Sequence, residues 1–234
     1  FLFDNKNGQL ILQNKDDLGY FLKNKLVKKD RISIVRGSGV DIKKFIPVEG
    51  STGVPIIMLA SRMLWDKGVG EFIDAAKILK QEGIRARFVL VGKNDSENPA
   101  SIPKRQLNEW HGSGVIEYWG EQTKMHEVLP KASIICLPSY REGLPKVLLE
   151  AASCSIPIIA TDVPGCREIV HEGENGILVP LKDSSSLASA IKELINNPEK
   201  RKSMGINGRR LVESEFSEKI VVSQTLRVYQ ELLR

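Results

Sequence analysis

Residues 139–170 read SYREGLPKVLLEAASCSIPIIATDVPGCREIV, and this stretch decides how the 234-residue chain folds. It sets Glu142 in a glycine-containing loop and Glu150 eight residues later on the next helix. Gly143 frees the backbone, and Pro145 suits the first helical position, where no amide hydrogen is needed. A helix over 145–153 then offers Val147, Leu148 and Ala151 for inward packing. Glu150 lies roughly 7–8 Å along the axis from Pro145, at ~1.5 Å per residue. Two carboxylates spaced this way, flanking exposed backbone amides, suit an elongated ligand with hydroxyls at both ends and negative charge between. A nucleotide-sugar has that form.

Strand-like apolar runs recur outward from this block, at 55–60, 87–91, 115–119, 133–137, 157–160 and 177–179. Helical segments fall between them at 70–81, 124–132, 145–153 and 184–197. The strands are apolar on both faces, which predicts an α/β fold: a Rossmann-like parallel sheet with helices on both faces. Such sheets bind ligands outside the carboxyl ends of their strands. The loops after Ala60, Val91, Trp119 and Leu137 are therefore the informative ones, and 93–101 reads as a long polar surface loop. The first ~50 residues offer only a strand (10–13), a helix (16–25) and a strand (32–35), too little to bury a core alone. A long amphipathic helix over 217–233 ends the chain.

Composition narrows the class. Hydrophobic content of 41% and charged content of 27% are ordinary for a globular protein. No apolar run reaches the ~18–20 residues that span a bilayer, and no secretory signal is visible. Cys136, Cys154 and Cys166 lack CxxC spacing, which points to reduced thiols in a cytoplasmic setting, with Cys136 packing in the core. The net charge of +5 reads first as a solvated basic surface and second as attraction to a membrane surface. Nucleic acid ranks last, because the basic residues are not interleaved with aromatics. His111, His126 and His171 show no metal-ligand spacing and read as surface or loop residues. The chain opens Phe1, Leu2, Phe3 without a methionine and reads as a fragment.

The Glu-x7-Glu block, with its Ser-Tyr-Arg-Glu-Gly-Leu-Pro run, resembles family 4 retaining glycosyltransferases of GT-B fold, particularly their bacterial polysaccharide and lipopolysaccharide members. Gly37, Ser38, Gly39, Val40 and Asp41 with Phe45, the run ASRMLWDKG at 60–68, and Leu90, Val91 and Gly92 precede it in the family's order. Gly173 and the run NGILV at 175–179 come after it. The resemblance covers residues 32–233, approximately. It implies a remnant of the acceptor domain and hinge at 1–36, a nucleotide-sugar-binding domain at 37–216, and a crossover helix at 217–234, partly undocked because much of its partner is missing.

The resemblance also assigns roles. Arg62 and Lys67, read from spacing alone as either a solvated basic loop or an anion clamp, would hold and stabilise the donor's leaving diphosphate. Glu142 would accept from donor-sugar hydroxyls, with Gly143, Leu144 and Pro145 beside it, and Glu150 would hold the ribose. Gly92, Trp119 and Gly120 would frame the nucleobase, although Trp119 also suits a core position. Where the family often has Asn, this chain has Ser38, so no amide role carries over; Gly37 and Gly39 read as a hinge turn, with Asp41 capping the residues after it. No metal or cofactor is implied, and no Asp-x-Asp pair is present. The expected activity is transfer of a hexose or N-acetylhexosamine, with UDP-sugar as the donor, to a glycan or lipid-linked acceptor, with peripheral contact at the inner membrane face as a further expectation. The alternatives are a catalytically silent nucleotide-sugar binding module and, lower, a sugar-nucleotide epimerase.

Overall fold

The computed structural model describes residues 8–48 and 53–233; the opening residues Phe1, Leu2 and Phe3 lie outside them. A six-stranded parallel sheet runs in the order β5-β4-β3-β6-β7-β8, where β3 is Ile56–Ala60, β4 Arg87–Val91, β5 Glu117–Tyr118, β6 Ile134–Leu137, β7 Ile158–Thr161 and β8 Gly176–Val179. Register pairs Ile56 with Arg87 on one side of β3 and Ile57 with Ile134 on the other. The reversal of order at β3 and β6 puts the loops after these two strands side by side, where open α/β sheets form their binding crevice.

Alternation along each strand divides the core between the two faces. Ile57, Leu59, Phe88, Leu90, Ile134 and Cys136 pack against α2 (Val69–Gln81), α3 (Lys104–Gly112) and α7 (Ser184–Asn196). Met58, Ala60, Val89, Val91, Ile135 and Leu137 face α4 (Met125–Val128), α5 (Lys146–Ser153) and α6 (Pro164–Arg167). All five residues of β3 are buried, as its unbroken apolar run requires. Cys136 is fully buried, so it packs as expected, and burial pushes its thiol up. Cys154 and Cys166 are also free and buried, their thiols raised to about 12, mainly by burial.

Three local expectations need correction. The strand expected over 115–119 is only Glu117–Tyr118, because this edge strand pairs with β4 at just two positions. The helix expected over 124–132 stops at Val128 and finishes as a 3-10 turn, Leu129–Lys131, around Pro130. Pro145 is the residue before α5, in extended conformation (φ −73°, ψ 109°), so the helix begins at Lys146. Positive φ falls at Gly37, Gly39, Gly68, Gly92 and Gly120, among others. Helices α3, α6 and α8 (Pro198–Leu211) also lie where none was expected.

The N-terminal part forms one βαβ unit: β1 (Leu10–Leu12) and β2 (Ile32–Ile34) pair in parallel around α1 (Lys15–Lys23). Helix α1 buries none of its residues, so the unit depends on neighbours. The C-terminal helix α9 (Glu218–Leu232) packs Val221 and Val228 against Val35 and Ile11, and leaves Val222, Leu226 and Tyr229 exposed. It is thus docked on one face and open on another. Residues 36–40 cross beside the start of α9: Val40 N–H donates to Phe216 O at 3.0 Å, and Glu218 N–H donates to Val40 O at 2.9 Å. Gly39 permits this crossing, since a Cβ there would lie 2.7 Å from Glu218 Cα. Asp41 caps the next turn as expected, its Oδ1 accepting from Lys43 N at 2.9 Å. Arg36 closes the crossing by pairing with Glu215 at 2.5 Å and lying 4.4 Å over the Phe216 ring.

Candidate active site

Glu142 sits in the loop after β6, and its Oε1 accepts from Lys67 Nζ at 2.7 Å. The side chains are only 12% and 18% exposed. Lys67 ends a 3-10 turn, Trp65–Lys67, which is held hard against the β6 loop. Gly68 makes the approach possible: it has φ +71°, and a Cβ on it would lie 2.0 Å from Pro138 O. Tyr140 N–H then donates to Asp66 O at 2.8 Å, and Tyr140 OH donates to Glu71 at 2.6 Å. Burial, reinforced by Glu71, pushes the Tyr140 hydroxyl up to about 12, so it remains a donor. The loops after β3 and β6 are therefore one unit, and the Lys67–Glu142 pair is preorganised.

The backbone of this loop is notable for what it does not bond. Among the described residues, the amides of Arg141, Glu142, Gly143 and Leu144 donate to no backbone or side-chain group. At the start of α5, Lys146 and Val147 add the amide donors that every helix leaves open. Such a run of N–H groups favours an anion. Gly165 of α6 lets the loop after β7 close against it, since a Cβ there would lie 2.5 Å from Gly143 O. Leu144 anchors the loop by packing on the core and against Gly37, where a Cβ would lie 2.5 Å from its Cδ2.

Beyond the loop, at the carboxyl ends of β3 and β4, lies a cavity of about 260 Å³. Its lining includes Arg62, Gly92, Lys93, Gln122, Val147 and Glu150. Glu150 is 12% exposed, with Lys146 Nζ 4.0 Å away. Burial raises its carboxyl above the ordinary range, while Lys146 and Lys44 draw it partly back. Arg62 and Lys67 do not share a carboxylate: Arg62, 58% exposed, reaches Asp95 at 3.7 Å, whereas Lys67 holds Glu142. Gly92 has φ +145° and passes so close to Ser61 that a Cβ would lie 1.7 Å from its carbonyl oxygen. Gly120 contributes its carbonyl to Gly92 N–H at 2.8 Å and is absent from the cavity lining. Trp119 is half-buried beside the core, its indole N–H donating to Glu117 at 3.0 Å.

Residues 41–211 match the family described as glycosyl transferases group 1. This chain belongs to that family. Among relatives of the group 1 glycosyl transferase, the N,N'-diacetylbacillosaminyl-diphospho-undecaprenol alpha-1,3-N-acetylgalactosaminyltransferase of Campylobacter jejuni is 30% identical over 239 residues, covering 97% of this chain and 61% of that protein. A glycosyltransferase structure from Rickettsia africae superposes with TM-score 0.87 at 20% identity, over 98% of this chain and 64% of that one. Anabaena HepE, solved in complex with UDP, gives 0.83 at 19% identity, over 96% and 64%. The chain thus spans less than two thirds of each. Its Rossmann-like sheet is the corresponding part of the GT-B fold.

Several residues of the candidate site carried no sequence signal. Gln122 and Met125 line the cavity, yet they stand in a polar stretch without a motif. Asn14 reaches the loop from 129 residues away in the chain, donating to Gly143 O at 3.2 Å. Its only local signal was the Asn14-x-x-Asp17 spacing of a helix cap. The three histidines do not gather: His111 accepts from Tyr118 N, His126 lies near Glu127, and His171 near Glu174. Among the described residues no helix is long and apolar enough to cross a membrane.

Proposed function

We propose that this chain is the donor-binding half of a retaining glycosyltransferase. In the full-length enzyme it moves a hexose or N-acetylhexosamine from a uridine-diphosphate donor to an acceptor hydroxyl. The observation that carries this reading is the run of open amides at 141–144, set between the Lys67–Glu142 pair and the start of the helix that bears Glu150. The amides and Lys67 would take the diphosphate, and Arg62, exposed at the cavity, would swing from Asp95 onto phosphate oxygens. Glu142, relieved of Lys67, would accept from sugar hydroxyls, and Glu150 from the ribose. No metal is assigned a part, since the cationic side chains and amides would meet the diphosphate charge. The acceptor would attack from the face the diphosphate leaves, with stabilisation of the departing charge as the main contribution.

The relatives support the wider assignment. One is named for transfer to a diphospho-undecaprenol acceptor, and another, CapM of Staphylococcus aureus, for capsular polysaccharide biosynthesis. These names favour a glycan or lipid-linked acceptor in cell-surface polysaccharide or lipopolysaccharide assembly, with peripheral contact at the membrane surface where such lipids reside. Lys67 tests the mechanism. Lys67→Ala in the full-length enzyme is expected to lower turnover at least tenfold, one lost electrostatic donor being worth about 10²–10³. Unchanged turnover would remove Lys67 from the mechanism. Under the same assay this chain alone is expected to bind donor without transferring sugar; transfer by the isolated chain would show that it carries an acceptor site of its own.

A further inference from the structure

A side chain from outside the sheet reaches the loop of open amides. Asn14 is 1% exposed. Its Oδ1 accepts from Asp17 N–H at 2.7 Å, capping α1, and its Nδ2 donates both to Asp17 Oδ2 at 2.9 Å and to Gly143 O at 3.2 Å. With Oδ1 committed to the cap, only the amide nitrogen is left to face Gly143. The Gly143 carbonyl shares a planar trans peptide with the Leu144 amide, and the two point to opposite sides. Holding that carbonyl toward Asn14 therefore turns the Leu144 N–H the other way. Adjacent contacts repeat the arrangement: Lys15 N–H donates to Glu168 Oε1 at 2.9 Å, and Asp16 lies 3.8 Å from Arg167. Residues 14–16 thus strap down the loops after β6 and β7.

We propose that Asn14 is a positioning residue for the donor's diphosphate: by fixing the Gly143 carbonyl, it aims the Leu144 amide into the phosphate site. This rests on the donor reading above. Its consequence is selective, because the strap touches the amide run and not the cavity lined by Glu150 and Gly92, where the nucleoside would sit. Loss of the strap should weaken recognition of the terminal phosphate and spare the nucleoside.

The test is calorimetric titration of this chain with UMP and UDP, or with the corresponding pair of whichever base it binds. The variants are Asn14→Ala, Asn14→Ser and Asn14→Asp. Serine and aspartate can still cap α1, but the aspartate carboxylate has no proton to donate to Gly143 O, and the serine hydroxyl, one bond shorter than the Asn14 amide and engaged with the cap, is set back from it. The expected result is a loss in UDP affinity of about 3- to 10-fold, the range of one hydrogen bond. That loss should appear in Ala and Ser alike and be largest in Asp, with UMP within about twofold of wild type. Equal weakening of UMP and UDP, a loss confined to Ala, or no change would each overturn the proposal, leaving the donor reading intact. Wild-type chain that binds neither nucleotide of any base would remove the donor reading, and this proposal with it.

Discussion

At the scale of the residue, Glu150 shows what burying a carboxylate costs in stability. Burial is the dominant influence on its carboxyl and raises it, so the folded chain holds this proton more tightly than the unfolded chain does. Its contribution to stability is therefore complete below the ordinary value of 4.5 and declines as pH rises through the raised folded value. Glu150→Gln is expected to melt at a higher temperature than wild type at pH 7, with the gap closing below pH 4.5, while nucleotide binding falls. A pH-independent difference in melting would show that charge burial is not its cause. The glycines make a second test. Gly92→Ala meets both a positive φ and the Ser61 carbonyl, whereas Gly120→Ala has φ +68° and nothing within 4 Å. The first should lower stability by more than the ~1–3 kcal/mol of backbone strain alone, and the second should stay within it. Urea midpoints in the opposite order would contradict the packing described.

At the scale of the element, legibility depends on the source of each element's burial. Strands β3, β4, β6 and β7 were plain because both faces are buried and their apolar runs are unbroken. Helix α8 was not, because it packs through close approach rather than through an apolar stripe. Its buried residues are Met204, Gly205 and Gly208, and a Cβ on Gly205 would lie 2.0 Å from Ser155 O. Glycine in a helix reads as a breaker until the neighbouring backbone is known. Spacing alone left Arg62, Lys67 and Glu142 open, and the family resemblance singled them out as candidates; the contact of Asn14 with Gly143 was not legible, since nothing local marks it. The same logic governs the βαβ unit, which is held by a small apolar cluster, Val35, Val221, Val228 and Ile11. Val228→Ala should cost about 1–2 kcal/mol, from ~0.8 kcal/mol per buried methylene. It should also raise amide exchange in β1 and β2 while β3 to β8 stay protected. Uniform loss of protection would mean that the unit and the main sheet unfold together.

At the scale of the whole molecule, the parallel sheet gathers its chemistry at one edge. The loops after β3, β6 and β7 are locked together through Gly68, Tyr140 and Gly165, and they carry Lys67, Glu142 and the open amides. The cavity with Arg62 and Glu150 lies beside them. The remainder of the relatives' length lies outside this chain, which covers 61% of the Campylobacter jejuni protein. A nucleoside-diphosphate site at that edge is the part of the proposed function that this chain would carry alone. Calorimetric titration with UDP, GDP and ADP, with Glu150→Ala as the control, decides whether it exists. UDP is expected to bind in preference to the other two, and Glu150→Ala to abolish that binding. Failure of the folded chain to bind any of the three, or UDP binding that Glu150→Ala leaves unchanged, would contradict it.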